Sequence, residues 1–280
     1  KLANYSWFNL GGPSEIFFKP ESIQDIIFFL KETKPQKINI LGAGSNTLIR
    51  DGGIKGITIK LSSRFSYLNL NSPNIIEAGA ATLDKKIADF ASEHSLAGLE
   101  FLSCIPGSIG GAIRMNSGCY GEDISKILHS IKVIDMLGIE KEISASDIKF
   151  YYRDSSLEQN LIITSVKLLG KSFLKDEIKK KQQVLIDKKK NAQPSQIKTC
   201  GSTFKNTINK KAWELIKESN CQNLKVGNAT ISEKHCNFFV NEGKATAKEL
   251  EELINKVKEI VYQKTKINLE LEIKIIGHNN

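Results

Sequence analysis

A glycine-rich segment near the N-terminus has the composition of an anion-binding loop. Residues 41–48 read LGAGSNTL and directly follow an apolar, strand-like stretch. Two glycines with serine, asparagine and threonine offer backbone N–H groups and short hydroxyls, which suit a phosphate. The segment lacks the Gly-Lys-Ser/Thr ending of a Walker loop, and Thr47 stands where the dinucleotide fingerprint has its third glycine. The residues alone leave a structural turn and an anion site both open.

A second segment, residues 105–121, contains five glycines: Gly107, Gly110, Gly111, Gly118 and Gly121. It lacks the serine and proline bias of a flexible linker. Glycine at this density indicates either close approach of the backbone to a ligand or a crowded junction between domains. Two such loops in one chain suit a large ligand with several polar groups better than a single phosphate.

Arginine is scarce in this basic chain. Of 40 basic residues, only Arg50, Arg64, Arg114 and Arg153 are arginine. The guanidinium offers a planar, bidentate fork to a carboxylate or phosphate, so each arginine is a candidate for anion recognition. Arg153 precedes Asp154, and from the residues alone an ion pair between the two explains Arg153 better than anion recognition does.

The composition limits the classes of function. A net charge of +9 attracts anions, and 40% hydrophobic with 25% charged residues is globular composition that excludes disorder. The longest apolar run, residues 26–30, is far below the roughly 20 residues of a membrane helix, so we expect no membrane insertion. The lysine runs are not interleaved with base-stacking aromatics, so we expect no nucleic-acid partner.

The cysteines indicate a reducing compartment. There are five, without CxxC spacing and without a secretory signal before them, so we expect a cytoplasmic protein with no metal site. Residue 1 is Lys rather than Met, and we expect the natural chain to begin earlier.

Short strands and helices alternate through the first part of the chain. The patterns predict strands over residues 15–19, 37–41, 56–61, 74–78, 131–136 and 161–168, the last of them almost wholly apolar and therefore buried. They also predict a helix over residues 22–31, capped by Ser22, and a helix from Thr82 with Leu83, Ile87 and Ala91 on one face.

The C-terminal part begins after a helix breaker. Residues 173–190 predict a lysine-rich helix, and residues 191–196, with Pro194, interrupt it. Thr246 and Glu249 form a capping box for a helix with an apolar stripe of Leu250, Leu253, Val257, Ile260 and Val261. Residues 269–275 alternate strictly and predict a half-buried strand. Its polar face carries both Glu270 and Glu272, which the pattern does not distinguish.

Six motifs occur in the order GAGSNTLI, IPGSIGGAIRMNSG, FYYRDSS, CGSTFKN, SEKHCNFFVN and LELEIKIIG. From residue 7 to Gly277 the chain thereby resembles the UDP-N-acetylenolpyruvoylglucosamine reductase family. The resemblance implies an α+β fold, with a two-part FAD-binding domain of the PCMH/VAO type followed by a smaller α+β substrate-binding domain. The implied division is 1–62 and 63–170 for the two FAD-binding subdomains, 171–194 for a connecting helix and linker, and 195–280 for the substrate-binding domain, whose C-terminal strand returns to the active site.

The resemblance also implies the reaction. In the family, NADPH reduces FAD, and the hydride then passes to the methylene carbon of UDP-N-acetylglucosamine enolpyruvate, giving UDP-N-acetylmuramate for peptidoglycan synthesis. The implied partners are this substrate and NADPH, and we expect a monomer. The implied FAD contacts are Leu41, Gly42, Gly44, Ser45, Asn46, Thr47, Leu48, Pro106, Gly107, Ser108, Gly110, Gly111, Asn116 and Gly118.

Hydride addition leaves electron density on the carboxylate-bearing carbon, which needs stabilisation and then a proton. The resemblance implies that Arg153 stabilises this intermediate, that Ser202 donates the proton and that Glu272 assists. Without the resemblance, Ser202 is a turn residue and either glutamate belongs to a solvated face. The implied substrate contacts are Tyr152, Lys205 and Asn206, and His235 receives no catalytic role.

The chain departs from the family pattern at Lys190, Thr207, Gln222 and Asn223. The family has an arginine, a proline, a basic residue and a glycine at these positions. Asparagine tolerates the left-handed backbone almost as well as glycine, so we expect only a mild effect of Asn223, and at the other three positions we expect changes in substrate contacts rather than in chemistry. Two alternatives stay open: another FAD oxidoreductase acting on an alcohol or sugar, and a basic nucleotide- or RNA-binding protein. Bound flavin distinguishes both enzymes from the nucleotide- or RNA-binding protein.

Overall fold

The computed structural model describes residues 1–33 and 37–279 and has an α+β fold. Its helices are α1 (Ile23–Glu32), α2 (Asp84–Glu93), α3 (Ile109–Arg114), α4 (Lys175–Ala192), α5 (Ala212–Glu218) and α6 (Ala247–Thr265). Its strands are β1 (Ser14–Phe18), β2 (Ile38–Ile40), β3 (Thr47–Ile49), β4 (Ile54–Ile59), β5 (Leu68–Ser72), β6 (Ile75–Gly79), β7 (Leu96–Ala97), β8 (Gly118–Cys119), β9 (Glu122–Asp123), β10 (Leu128–Ile134), β11 (Glu140–Ser144), β12 (Phe150–Tyr151), β13 (Asp154–Ser155), β14 (Ile162–Leu169), β15 (Lys171–Ser172), β16 (Lys225–Val226), β17 (Ala229–Ile231), β18 (Phe239–Asn241) and β19 (Lys274–Ile276). Short 3₁₀ turns lie at Leu2–Tyr5, Ser63–Phe65, Glu100–Cys104, Ile124–Lys126 and Ala145–Asp147.

Two sets of residues each form a compact unit. The larger unit consists of Phe17–Ala43 and Ile57–Lys189, and the smaller unit of Lys1–Ile16, Gly44–Gly56 and Lys190–Asn280. The N-terminal segment therefore belongs to the same unit as the C-terminal part of the chain. A division of the chain into consecutive segments cannot describe such a unit. The functional division into 1–62, 63–170, 171–194 and 195–280 stays a prediction.

The larger unit is built on an antiparallel sheet in the order β11-β10-β14-β6-β5. Strand β14 lies between β10 and β6, and its apolar run is buried as predicted. Ile131, Val166 and Leu168 pack into one core with Ile87 of α2. A separate core joins Ile26 of α1 to the parallel pair β2 and β4.

Helix α1 begins where its capping residues predict. The Ser22 hydroxyl accepts a hydrogen bond from Asp25 N (3.0 Å), and the Asp25 carboxylate accepts one from Ser22 N (3.0 Å). These bonds satisfy two backbone N–H groups that have no partner within the helix.

The face predicted for α2 was wrong at Leu83. The helix begins at Asp84, so Leu83 is its N-cap with an extended backbone and a side chain 44% exposed. Asp84 takes the first buried position, in line with Ile87 and Ala91. A residue outside the helix does not follow its 3.6-residue period, which is why the pattern failed there.

The smaller unit is organised around α6. Its N-cap is Thr246, in a capping box with Glu249, and its apolar stripe is buried as predicted except for the half-buried Ile260. The stripe packs in a core that also holds Phe204 and Phe239, whose rings meet edge to face at 5.8 Å. The antiparallel sheet β16-β17-β18 and the parallel pair β3-β19 complete this unit.

Two further predictions need correction. The lysine-rich helix begins at Lys175 rather than at residue 173, because Phe173 N donates to Ser95 O (2.9 Å) outside the helix. The strand predicted over residues 269–275 is a strand only from Lys274, preceded by a bend at Glu272 and Ile273. The N–H groups of Glu272 and Ile273 both donate to Thr203 O (2.8 and 3.5 Å), which interrupts the regular hydrogen bonding of a strand.

Among residues 1–33 and 37–279, no helix is long and apolar enough to cross a membrane.

Candidate active site

The first glycine loop turns sharply at Gly44. This residue has φ +68°, and a Cβ there would lie 1.9 Å from Tyr5 O. Both the left-handed backbone and this close approach require glycine. The Gly44 carbonyl in turn accepts hydrogen bonds from Trp7 N (3.1 Å) and the Cys200 thiol (3.5 Å). The chain is therefore tightly held on one side of the turn.

The N–H groups after the turn are available. Within the described part of the chain, the N–H groups of Gly44, Ser45 and Asn46 donate no hydrogen bond. The ladder to β19 begins only at Thr47, opposite Lys274. Three successive N–H groups on a loop form a concave donor surface that suits an anion.

The preceding residue of the loop, Gly42, belongs to the larger unit. Lys60 Nζ donates to Gly42 O (2.6 Å), and a Cβ on Gly42 would lie 3.2 Å from Ser108 Oγ. Burial, with the positive charge of Lys19, lowers the pKa of Lys60. The first loop and the second loop are thus neighbours at Gly42 and Ser108. Sequence reasoning missed Lys60, one lysine among 36 with no pattern to mark it.

The second loop is more regular than its glycines suggest. It contains α3, whose Ile109 N and Gly110 N donate to Thr82 O (2.9 Å) and Ala80 O (3.0 Å). A Cβ on Gly110 would lie 3.1 Å from Ala80, and one on Gly118 would lie 2.3 Å from Glu122 O. These two glycines therefore allow close packing of the chain on itself. Their predicted contacts with FAD, like those of Pro106, Gly107 and Gly111, stay predictions.

Arg153 occupies a strained turn in the larger unit. Strands β12 and β13 pair Tyr151 with Asp154, so Tyr152 and Arg153 form the two-residue connection of a hairpin. Arg153 has φ +58°, a conformation that costs a residue with a Cβ roughly 1–2 kcal/mol. Its Nη2 donates to Gly118 O (2.9 Å), and its guanidinium lies 4.9 Å from the centre of the Tyr152 ring. The predicted catalytic arginine and the second glycine loop are directly connected.

Ser202 and Glu272 come together within the smaller unit. Thr203 O accepts a hydrogen bond from Glu272 N (2.8 Å), and Asn46 Nδ2 donates to Glu272 O (2.9 Å). Lys274 N donates to Asn46 O (2.9 Å). Backbone contacts therefore join the first loop, the Ser202 segment and the Glu272 segment. The hydroxyl of Ser202 forms no hydrogen bond to a described residue and is open to a ligand.

The structure separates the two glutamates that the alternating pattern could not distinguish. The side chain of Glu270 is 77% exposed and lies 3.7 Å from Lys205 Nζ. Glu272 is half-buried at the bend. The bend gives Glu272 the more enclosed position of the two, next to the Ser202 segment.

The predicted substrate residues occupy different environments. Lys205 is half-buried, and its N–H donates to Glu270 O (2.8 Å). Asn206 is exposed, and its Oδ1 accepts from Ala212 N (3.0 Å) at the start of α5. Its side-chain NH₂ is the group left for a ligand. Tyr152 is exposed beside Arg153 in the larger unit.

Comparison with known proteins identifies the family. A model described as FAD binding domain matches residues 14–144, and one described as UDP-N-acetylenolpyruvoylglucosamine reductase, C-terminal domain, matches residues 193–276. The UDP-N-acetylenolpyruvoylglucosamine reductase of Pelagibacter ubique (strain HTCC1062) is 46% identical over 279 residues, covering 98% of this chain and 92% of the relative. The enzyme of that name from Anaplasma marginale (strain St. Maries) is 42% identical over 277 residues, covering 99% and 92%. The chain belongs to the UDP-N-acetylenolpyruvoylglucosamine reductase family.

The reductase fold extends over the whole chain. The crystal structure of the UDP-N-acetylenolpyruvylglucosamine reductase (MurB) from Thermus caldophilus matches with a TM-score of 0.88 at 32% identity, covering 99% of this chain and 97% of the other. The α+β fold with an FAD-binding domain and the C-terminal domain of the reductase family is confirmed.

The first loop fits the cofactor that its family model names. A pyrophosphate needs several N–H donors and room for close approach of the backbone. The N–H groups of Gly44, Ser45 and Asn46 provide the donors, and the packing of Gly44 against Tyr5 holds the turn that directs them. The residues present fit FAD at this loop.

Asn237 is a structural residue of this chain that sequence reasoning missed. Its buried amide accepts from Phe204 N (3.0 Å) and donates to Phe204 O (2.8 Å), while its backbone O accepts from Thr203 N (2.8 Å). It thereby fixes the segment directly after Ser202. The sequence feature that could have indicated Asn237 was its place in the SEKHCNFFVN motif. The ring of His235 in the same motif packs against that of Phe238, with the ring centres 4.8 Å apart.

Proposed function

We propose that this chain reduces UDP-N-acetylglucosamine enolpyruvate to UDP-N-acetylmuramate, a precursor of peptidoglycan, in the cytoplasm and as a monomer. FAD is the bound cofactor and NADPH the reductant. When bound, FAD carries hydride from NADPH to the substrate. The hydride forms a C–H bond at the methylene carbon, a proton is added at the carboxylate-bearing carbon, and NADPH leaves as NADP⁺.

One observation supports this proposal above the others. Asn46 of the glycine loop donates to Glu272 O (2.9 Å), and Glu272 N donates to Thr203 O (2.8 Å) beside Ser202. These bonds hold the segments that carry Ser202 and Glu272 beside a loop that fits a dinucleotide. A simple nucleotide-binding loop has no need of this pair.

The proposed roles follow from the chemistry of each group. A guanidinium stabilises the negative charge that develops on the substrate carboxylate, the role proposed for Arg153. Ser202 gives its proton to the carbanionic carbon, and as a weak acid it depends on neighbouring polar groups to do so. Glu272 assists at the same carbon. Lys205, Asn206 and Tyr152 bind the substrate.

Two measurements test the proposed function. The purified chain is expected to carry a flavin absorbance, and NADPH is expected to bleach it without oxygen. Addition of the enolpyruvyl substrate is then expected to restore the oxidised spectrum with one equivalent of UDP-N-acetylmuramate formed.

The alternatives give different results. Protein that binds no flavin after incubation with FAD would exclude both enzyme functions. Flavin that is reoxidised by oxygen but not by the enolpyruvyl substrate would identify another FAD oxidoreductase.

A further inference from the structure

The hairpin β12–β13 needs external support. Its connecting residue Arg153 has the left-handed backbone that glycine or asparagine usually supplies at the third position of such a turn. A hairpin of two residue pairs has few hydrogen bonds of its own to offset that strain. The conformation of Arg153 therefore depends on what holds the hairpin from outside.

Residues 114–118 of the second loop provide this support through three hydrogen bonds. Ser155 Oγ donates to Arg114 O (3.0 Å), Asn116 Nδ2 donates to Tyr151 O (3.1 Å), and Arg153 Nη2 donates to Gly118 O (2.9 Å). The bonds reach both strands and the side chain of the turn. We call these three bonds the hairpin clamp.

Of the three second-loop residues in the clamp, Asn116 contributes its side chain, whereas Arg114 and Gly118 contribute backbone carbonyls. Asn116 is 5% exposed, and while Nδ2 binds Tyr151 O, its Oδ1 accepts from Ser125 N (3.0 Å). Both ends of the amide are thus bonded to the protein. Asn116 also has φ +39°, a backbone that asparagine tolerates better than most residues. A buried amide bonded at both ends is suited to fixing two segments relative to each other, not to reaching a ligand.

We infer that Asn116 is a positioning residue for Arg153, holding the hairpin on which that arginine meets the substrate, and is not a ligand of FAD. The inference rests on the proposed function, because it takes Arg153 as the group that stabilises the intermediate. It changes the role that the family resemblance implies for Asn116.

The two half-reactions separate positioning from binding. Flavin reduction by NADPH does not need Arg153, whereas reoxidation by the enolpyruvyl substrate does. Asn116→Asp keeps the size, the backbone preference and the acceptor for Ser125 N, but replaces the donor to Tyr151 O by an oxygen. We expect FAD occupancy, FAD affinity and the rate of reduction within about twofold of the wild type. We expect reoxidation to slow by about 10- to 100-fold through kcat, the size that small misplacements of a catalytic group produce.

Further variants guard against a folding defect. Asn116→Gly keeps the left-handed backbone while deleting the amide, and Ser155→Ala removes a second bond of the clamp; both are expected to slow reoxidation selectively. Asn71→Asp is the matched control, because the exposed Asn71 on the edge strand β5 donates to Glu77 (2.6 Å). It is expected to leave both half-reactions unchanged.

Each outcome decides the matter. Loss of FAD from Asn116→Asp, with normal reoxidation per bound flavin, would make Asn116 a cofactor ligand and overturn the inference, as would unchanged reoxidation. Equal slowing of both half-reactions would indicate a general structural role and also overturn it. A wild-type chain that the enolpyruvyl substrate fails to reoxidise would instead refute the proposed function itself.

Discussion

Ser202 is a weak acid, and its proposed role depends on where its backbone is held. Asn237 fixes the next two residues, and the hydroxyl itself forms no bond to the described part of the chain. We expect Ser202→Ala to keep FAD and its reduction by NADPH, but to slow reoxidation by the enolpyruvyl substrate by about 10²- to 10⁴-fold, the usual value of general acid catalysis. Stopped-flow measurement of the flavin absorbance checks this.

The exposed Ser195→Ala in the same unit is a suitable control and should leave both steps unchanged. If Ser202→Ala loses FAD instead, Ser202 has a structural role.

Glu272 and Glu270 allow a matched comparison that the sequence pattern could not predict. Glu272 is half-buried at the bend, and Glu270 is exposed with only a 3.7 Å contact to Lys205. A solvated ion pair contributes about 0–1 kcal/mol, so Glu270→Gln should leave kcat within about twofold. Glu272→Gln should lower kcat at least tenfold with FAD still bound. Equal effects of the two substitutions in steady-state assays would remove Glu272 from the chemistry.

At the scale of elements, the turn at Gly44 gives the sharpest prediction. A Cβ at 1.9 Å from Tyr5 O cannot be accommodated without moving the backbone, and φ +68° adds strain. Gly44→Ala should weaken FAD binding by at least tenfold, as measured by flavin fluorescence. It should also lower the melting temperature.

Gly243→Ala distinguishes the effect of a positive φ from the effect of a Cβ collision. Gly243 has φ +111°, but its Cβ would meet only Lys198 Nζ, at 3.9 Å. Gly243→Ala carries the strain of a positive φ without the collision, so it should cost roughly 1–2 kcal/mol of stability and leave FAD affinity intact. Similar loss of FAD in both variants would mean that the close packing of Gly44 is not what holds the loop.

Elements specified by neighbouring residues could be predicted from the sequence. The capping boxes at Ser22 and Thr246 operate within four residues, and both helices begin where predicted. The prediction of a strand over residues 269–275 was wrong because its backbone hydrogen bonds depend on a residue distant in the sequence, Thr203, whose carbonyl accepts the N–H of Glu272. Alternation of apolar and polar residues predicts which side chains are buried, and Leu269 and Ile273 are buried. It does not predict which backbone groups form hydrogen bonds with each other.

The candidate site has the same limit. The glycine loops were visible as composition, and the resemblance named Arg153, Ser202 and Glu272. The supports of these residues were not predictable, because Asn237 and the Asn116 clamp act on segments that lie over thirty positions away in the chain. A single amide in a sequence carries no sign of the distant carbonyl that it binds.

At the scale of the whole molecule, two carboxyl groups of α2 make the stability of the folded protein change with pH in opposite directions. The lysines Lys175 and Lys179 hold the pKa of Glu93 at about 2. Its stabilisation is therefore present at neutral pH and is lost as the pH falls below the ordinary carboxyl pKa toward 2. Burial raises the pKa of Asp84 well above its ordinary value, since neither oxygen has a hydrogen-bond partner among the described residues.

Asp84 lies in the first turn of α2, where the helix dipole favours a negative charge by at most about 2 kcal/mol. Burying an unpaired carboxylate costs several kcal/mol, so the folded protein releases the Asp84 proton at a higher pH than the unfolded chain does. As the pH rises above the ordinary carboxyl pKa, the wild type should therefore lose stability from this group, until the pH passes the folded pKa of Asp84. Asp84→Asn cannot ionise, so we expect it to match the wild type near pH 3 and to melt at a higher temperature at pH 7. Glu93→Gln should show the reverse, with its deficit largest at neutral pH. Parallel melting profiles of Asp84→Asn and the wild type from pH 3 to 7 would mean that the folded protein stabilises the Asp84 carboxylate as well as water does.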